Sequence, residues 1–164
     1  MGWGGHSSTG PVRATNEDGW RISPIPGWGL VAVVCDGMGA MCSAEPHAAL
    51  AVTMFTHHIF CLPPEERLTE AAFRGACAAA NDAIGDHNDR YSTRGSGVTL
   101  AAAVIHERRA CVGWVGDCRI WRMTDTALTV VSREHLLVNK MIEAGKLTPE
   151  EAKESPYRNI VLRH

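Results

Sequence analysis

The sequence predicts a layered domain of mixed helices and strands, an α/β arrangement in which strand groups alternate with paired helices. Three observations carry this. Apolar runs at 31–35, 99–105 and 110–115 have the length and composition of strands. Two long stretches, one after Ser43 and one after Thr69, repeat their apolar residues at helical spacing. A length of 164 residues suits a single domain, 1–164, with a real core and is short for two.

Gly2 to Pro11 is glycine-rich, and a polar connector with two adjacent acids, Glu17 and Asp18, follows it. Gly19–Ile22 and Leu30–Cys35 are expected to pair across a turn at Pro24-Ile25-Pro26-Gly27. The run Val31 to Cys35 is so uniformly apolar that it predicts a strand buried on both faces. Ser43 is a candidate helix cap, with Glu45 and Pro46 in the first turn and Ala48, Val52, Phe55 and Ile59 on one face. Pro63-Pro64 breaks the chain before a second helix, Thr69 to His87, with a buried stripe of Phe73, Ala76, Cys77, Ala80 and Ile84.

Thr99–Ile105 and Ala110–Val115 form a predicted hairpin around the charged turn His106-Glu107-Arg108-Arg109. Gly116-Asp117 interrupts the strands, which resume at Arg119–Met123 and Ala127–Val131 around a turn at Thr124-Asp125. Glu134 to Ala144 reads as a helix stopped by Gly145. Thr148-Pro149-Glu150-Glu151 is a capping box with proline in the first helical position. Trp3, Trp20, Trp28, Trp114 and Trp121 are expected to be packing residues.

A net charge of −2 lacks the basic excess of a nucleic-acid binder. No apolar stretch reaches the roughly 18 residues of a membrane span, and no charged-then-apolar leader opens the sequence. The six cysteines contain no C-x-x-C pair; they predict free thiols in a reducing cytoplasm, not a disulfide framework or a zinc site. The eight histidines show no ligand spacing, and the adjacent His57-His58 read as surface residues.

Three acidic spots remain: Glu17-Asp18, Asp36-Gly37 and Gly116-Asp117. Each follows or interrupts a predicted strand, so each is expected at a sheet edge. Asp36 ends an apolar run and is flanked by Gly37 and Gly39, which leave backbone unshielded by side chains. Carboxylate and carbonyl oxygens so placed suit a hard cation such as Mg²⁺ or Mn²⁺. Arg13, four residues before Glu17, could grip a phosphoryl group. For Asp117 a purely structural alternative is a turn acid paired with Arg119.

These residues carry a family resemblance. Val12-Arg13-Ala14-Thr15-Asn16-Glu17-Asp18 is similar to the R-x-x-N-E-D opening of the PP2C (PPM) family of metal-dependent protein serine/threonine phosphatases. Asp36-Gly37-Met38-Gly39 resembles the D-G-M-G-G of its bacterial branch, with Ala40 replacing the last glycine. Gly97-Val98-Thr99 is similar to G-T-T, and Val115-Gly116-Asp117-Cys118-Arg119 to V-G-D-S-R with cysteine for serine. Ser132 to His135 and the run from Leu137 to Ala152 resemble the D-H-S…L-V…G-x-I-T-x-E-E-A segment. The motifs stand in order and span nearly the whole chain.

The resemblance implies an α+β fold, a four-layer α-β-β-α sandwich with a two-metal centre of Mn²⁺ or Mg²⁺ between the sheets. It implies hydrolysis of phosphoserine and phosphothreonine in proteins, including substrates of bacterial serine/threonine kinases. The attack would be in-line, by a hydroxide bridging the metals, with no phosphoenzyme. Asp36 would bridge both ions, Glu17 and the Gly37 carbonyl would ligate, and Asp117 would help bind a third. Asp18 would act through metal waters, and Arg13 would hold the phosphate. Met38 stands where animal members place a histidine as a proton donor.

The family also carries an S-D-G strand and a late D-N motif, each with a metal aspartate, and neither occurs in these 164 residues. The resemblance therefore implies a sandwich incomplete at its C-terminal side, with an apolar sheet face for a partner to cover. Three readings stay open: a phosphatase, a non-catalytic regulatory or binding module, and a different metal-dependent hydrolase sharing only the acidic strand ends.

Overall fold

A computed structural model describes residues 2–39, 45–92 and 95–163. Ala40 and Ser43, the expected helix cap, fall outside them. Four strands form one antiparallel sheet in the order β1-β2-β3-β4: β1 (Asp18–Ile25), β2 (Gly29–Met38), β3 (Gly97–His106) and β4 (Arg109–Val115). Helices α1 (Glu45–Cys61) and α2 (Glu70–Tyr91) connect β2 to β3. Strands β5 (Trp121–Met123) and β6 (Leu128–Val130) make a separate two-stranded sheet, and the short helices α3 (Leu137–Glu143) and α4 (Pro149–Glu154) follow.

The register gives the sheet two unlike faces, because side chains alternate along each strand. On one face Val31, Val33 and Cys35 of β2 and Val98, Leu100 and Val104 of β3 pack under α1 and α2. There they meet Ala48, Val52, Phe55, Phe73 and Ala76, with the Phe55 and Phe73 rings edge to face at 5.5 Å. Gly19 lets β1 approach α1: a Cβ there would lie 2.9 Å from the Ala48 backbone. The other face runs in rows across the strands. Asp18, Asp36 and Thr99 form one row, Trp20, Val34, Ala101 and Trp114 the next, and Ile22, Ala32, Ala103 and Val112 the third.

This corrects the expectation of a strand buried on both sides. Val31 is fully buried, but Val34 is 48 % exposed, because only the helix-side face of β2 is covered. On the second face Trp121 of β5 closes a 310 Å³ cavity with Trp20, Ile22 and Val34. The tryptophans divide accordingly. Trp28 stacks on His106 at 4.6 Å under Arg67, whereas Trp3, Trp20 and Trp121 stay about half-exposed.

Local signals place the element ends. Thr69 caps α2 by accepting the Ala72 N–H, and α2 runs four residues past its expected end to a left-handed Ser92. The Thr148–Glu151 capping box forms as expected, with Pro149 in the first turn. Strand β1 continues through Pro24 and Ile25, because Ile25 is buried in the core. Helix α3 begins three residues later than expected: Asn139 donates to the Glu134 carbonyl, and Leu136 bridges Val161 as extended chain. Among the described residues no helix is long and apolar enough to cross a membrane.

Candidate active site

The acids of the opening motif and of β2 meet because β1 and β2 pair with Asp18 opposite Asp36. The connector is tied down around them. Asp18 N–H donates to Asn16 Oδ1 at 3.1 Å, Asn16 Nδ2 to Ser7 Oγ at 2.8 Å, and Ser7 Oγ to Asp18 Oδ2 at 3.2 Å. The Gly37 N–H donates to the Glu17 carbonyl at 3.1 Å, joining the connector to the strand end. Arg13 Nη1 lies 2.6 Å from Glu17 Oε2.

Two adjoining cavities share Arg13, Glu17 and Asp36. The larger, about 650 Å³, also holds Gly37, Met38, Gly39, Asp117 and Asn159. The smaller, about 210 Å³, holds Asn16 and Asp18. The structure thus brings all six candidates, Arg13, Glu17, Asp18, Asp36, Gly37 and Asp117, to one rim of the sheet. Burial pushes the Asp36 carboxyl above its ordinary value, the negative charges of Asp18, Asp117 and Glu17 add to the rise, and Arg13 opposes it.

Asp117 sits on a turn with its own supports. Gly116 has φ +93°, and the Thr99 side chain stands where its Cβ would be. Its N–H donates to His135 Nδ1 at 3.1 Å, and the His135 N–H donates to the Gly116 carbonyl at 2.8 Å. Accepting at Nδ1 requires a neutral ring there, and burial, followed by the charges of Arg163 and Lys140, lowers the His135 pKa. Cys118 Sγ lies 3.1 Å from the buried Thr99 hydroxyl. Arg119 pairs with Glu134 at 2.8 Å, which removes the alternative of an Asp117–Arg119 turn pair.

Sequence reasoning missed three contributors. Asn16 and Ser7 hold Asp18, and Asn159 reaches the larger cavity from the other end of the chain. Asn16 stands inside the R-x-x-N-E-D motif, and Asn159 inside Arg158-Asn159-Ile160, which resembles the family's arginine-asparagine-leucine stretch; Ser7 carries no local signal. A further groove of about 470 Å³ between α2 and β3–β4 is lined mainly by apolar residues and contains none of these acids.

The donor set fits a hard divalent cation in chemistry and in charge: among the described residues, the carboxylates of Asp18, Asp117 and Glu17 act on Asp36 against the guanidinium of Arg13. Among the described residues no three His, Cys, Asp or Glu side chains are gathered closely enough to hold an ion as they stand, and Glu17 is engaged by Arg13.

A sheet with helices on one face and a cavity at its rim lined by carboxylates and a guanidinium defines an α+β protein. Comparison with known proteins narrows the class. The Protein phosphatase 2C sequence profile matches residues 7–159. The chain is similar to the serine/threonine protein phosphatase PstP of Mycobacterium tuberculosis, 31% identical over 158 residues, which are 96% of this chain and 29% of that protein. It is similar to the crystal structure of the serine/threonine phosphatase Stp1 from Staphylococcus aureus, with TM-score 0.85 and 25% identity, covering 95% of this chain and 62% of that one. The catalytic domain of PstP in complex with 2 manganese ions matches at TM-score 0.73 and 29% identity, over 87% of this chain and 60% of that one. The chain belongs to the protein phosphatase 2C family. It spans less than a third of full-length PstP and about three fifths of those two solved structures.

Proposed function

We propose that this chain carries the phosphate-binding and part of the metal-binding machinery of a phosphoserine/phosphothreonine protein phosphatase, acting in the cytoplasm on substrates of serine/threonine kinases. The observation that carries the reading is the meeting of Asp36, Glu17, Asp18, Asp117 and Arg13 around two connected cavities. Mn²⁺ or Mg²⁺ would be held by Asp36, Glu17 and the Gly37 carbonyl, with Asp117 toward a further ion and Asp18 acting through solvent. When bound, such ions polarise phosphoryl oxygens and acidify water.

The chain's own residues set the rest. Arg13 binds and orients the phosphate: its side chain is 60% exposed, so an incoming phosphate can replace or share the Glu17 carboxylate. Asn16 and Ser7 hold Asp18 in place, and His135 holds the turn that carries Asp117. Met38 lines the cavity without an exchangeable proton, so proton delivery to the leaving oxygen falls to solvent.

The test is release of phosphate from phosphoserine and phosphothreonine peptides with Mn²⁺ titrated in. Asp36→Asn should abolish metal-dependent turnover. Arg13→Ala should lower kcat/KM by roughly 10–100-fold, the loss of a hydrogen-bonded charge contact. Turnover that is unchanged in both variants sinks the proposal.

A second reading, a non-catalytic binding module, is favoured by one observation: the exposed Trp20 and Val34 on the sheet face, with the exposed Trp121 of β5 across the cavity from them. A partner chain covering that face would bind Asp36→Asn as well as the native chain. If stable Mn²⁺ binding comes with no phosphate release from any phosphopeptide, this second reading holds.

A further inference from the structure

His47 in the first turn of α1 and His87 near the end of α2 are forty residues apart in sequence, yet their rings meet edge to face at 4.8 Å. His47 is 1 % exposed. Both of its ring nitrogens and Nδ1 of His87 are buried with no hydrogen-bond partner. Tyr91 packs on His87 at 4.5 Å. Asn88 donates its Nδ2 to the Ser96 carbonyl at 3.0 Å, and its side chain is near enough to His47 to favour the ring's charged form without completing a well-formed hydrogen bond.

Orphaned imidazole nitrogens between two helices are costly where packing alone is wanted; an apolar pair would serve better. A proton is a poor occupant, since burial and the neighbouring imidazole both disfavour a charged His47. Neutral imidazole is the preferred donor for borderline transition metals, whereas the hard ions suited to the acidic cavity prefer oxygen.

We propose that His47 and His87, with Asn88 beside them, form a second metal site, nitrogen-lined, that takes a borderline dication such as Zn²⁺. The two sites sort ions by ligand softness. An ion at the histidines pins the start of α1 to the end of α2. Asn88 holds Ser96, and Ser96 lies against Gly39 at the edge of the acidic cavity, so the histidine site is mechanically joined to the acidic one. The inference stands whether or not the chain is a phosphatase.

The experiment is a Co²⁺ titration of the whole chain in saturating Mg²⁺, followed by visible absorption and thermal melting, with Zn²⁺ as competitor. The native chain should bind one Co²⁺ with a nitrogen-ligand spectrum, melt higher, and release Co²⁺ to Zn²⁺. Asp36→Asn should behave the same way. His87→Asn and His47→Asn, checked for native circular dichroism, should each weaken binding by more than about tenfold, the least that even an outer-shell change costs a metal site. If His47→Asn fails to fold, His87→Asn alone decides the matter. Binding that is unchanged in His87→Asn, lost in Asp36→Asn, or marked by a sulfur charge-transfer band would overturn the proposal.

Discussion

The turn that carries Asp117 rests on Gly116, and replacing that glycine by alanine tests the geometry directly. Two costs combine. Its φ of +93° lies where an L side chain is strained by about 1–2 kcal/mol. The new Cβ would also stand 2.4 Å from Thr99 Cγ2 and 2.6 Å from Thr99 Cβ, and Thr99 is fully buried. Overpacking of this kind costs about 1–3 kcal/mol. Gly145→Ala separates the two terms: its φ is +66°, but nothing lies within 4 Å of its Cβ position, so it carries the backbone strain alone. Denaturant unfolding should therefore place Gly116→Ala about 1–3 kcal/mol below Gly145→Ala at equal slope. The effect should extend to function. Thr99 contacts Cys118, so a displaced Thr99 moves the turn, and Mn²⁺ affinity should fall in Gly116→Ala and hold in Gly145→Ala. Equal unfolding midpoints for the two variants would refute the packing argument.

Two other outcomes follow from the core and from the acids. Phe55 is fully buried and edge to face with Phe73, so Phe55→Ala should cost about 3–5 kcal/mol in the same unfolding assay; a loss under 1 kcal/mol would mean α1 is not seated as described. In chelator, the raised pKa of Asp36 means the folded chain binds that proton more tightly than the unfolded chain, whose carboxyl keeps its ordinary 3.8. Metal-free stability should then fall as pH rises from about 3.8 through the raised value, and Asp36→Asn should flatten that slope. Parallel stability–pH curves for the two proteins would contradict the acid clustering.

Much of this was legible in the sequence because the signals are local. The strand pairs, the Thr148–Glu151 box, the helical stripe of α2 and the acids at strand ends all depend on neighbours within a few residues. What escaped depends on distance. Val34 sits in the most apolar run of the chain, and composition cannot say that one face of its strand lacks a cover. His47 and His87 have no spacing signal, because only the α1–α2 packing brings them together. Arg119 looked like the partner of Asp117 from its spacing, but the fold delivers Glu134 instead. Ser7 and Asn159 reach the site from opposite ends of the chain, which no pattern of short range can report.

The site and the open face of the sheet are one surface. Asp18 and Asp36 share a face with Trp20 and Val34 in the next row, by the period-two alternation of paired strands. Whatever covers the apolar rows therefore also walls the acidic row. Removing water there raises the cost of uncompensated carboxylate charge and strengthens every interaction that compensates it. Covering the sheet and the proposed holding of cations at Asp36 would be coupled for that reason, each making the other more favourable. Arg13 belongs to the same balance: its guanidinium, 2.6 Å from Glu17, opposes the carboxylate repulsion and burial that raise the Asp36 pKa.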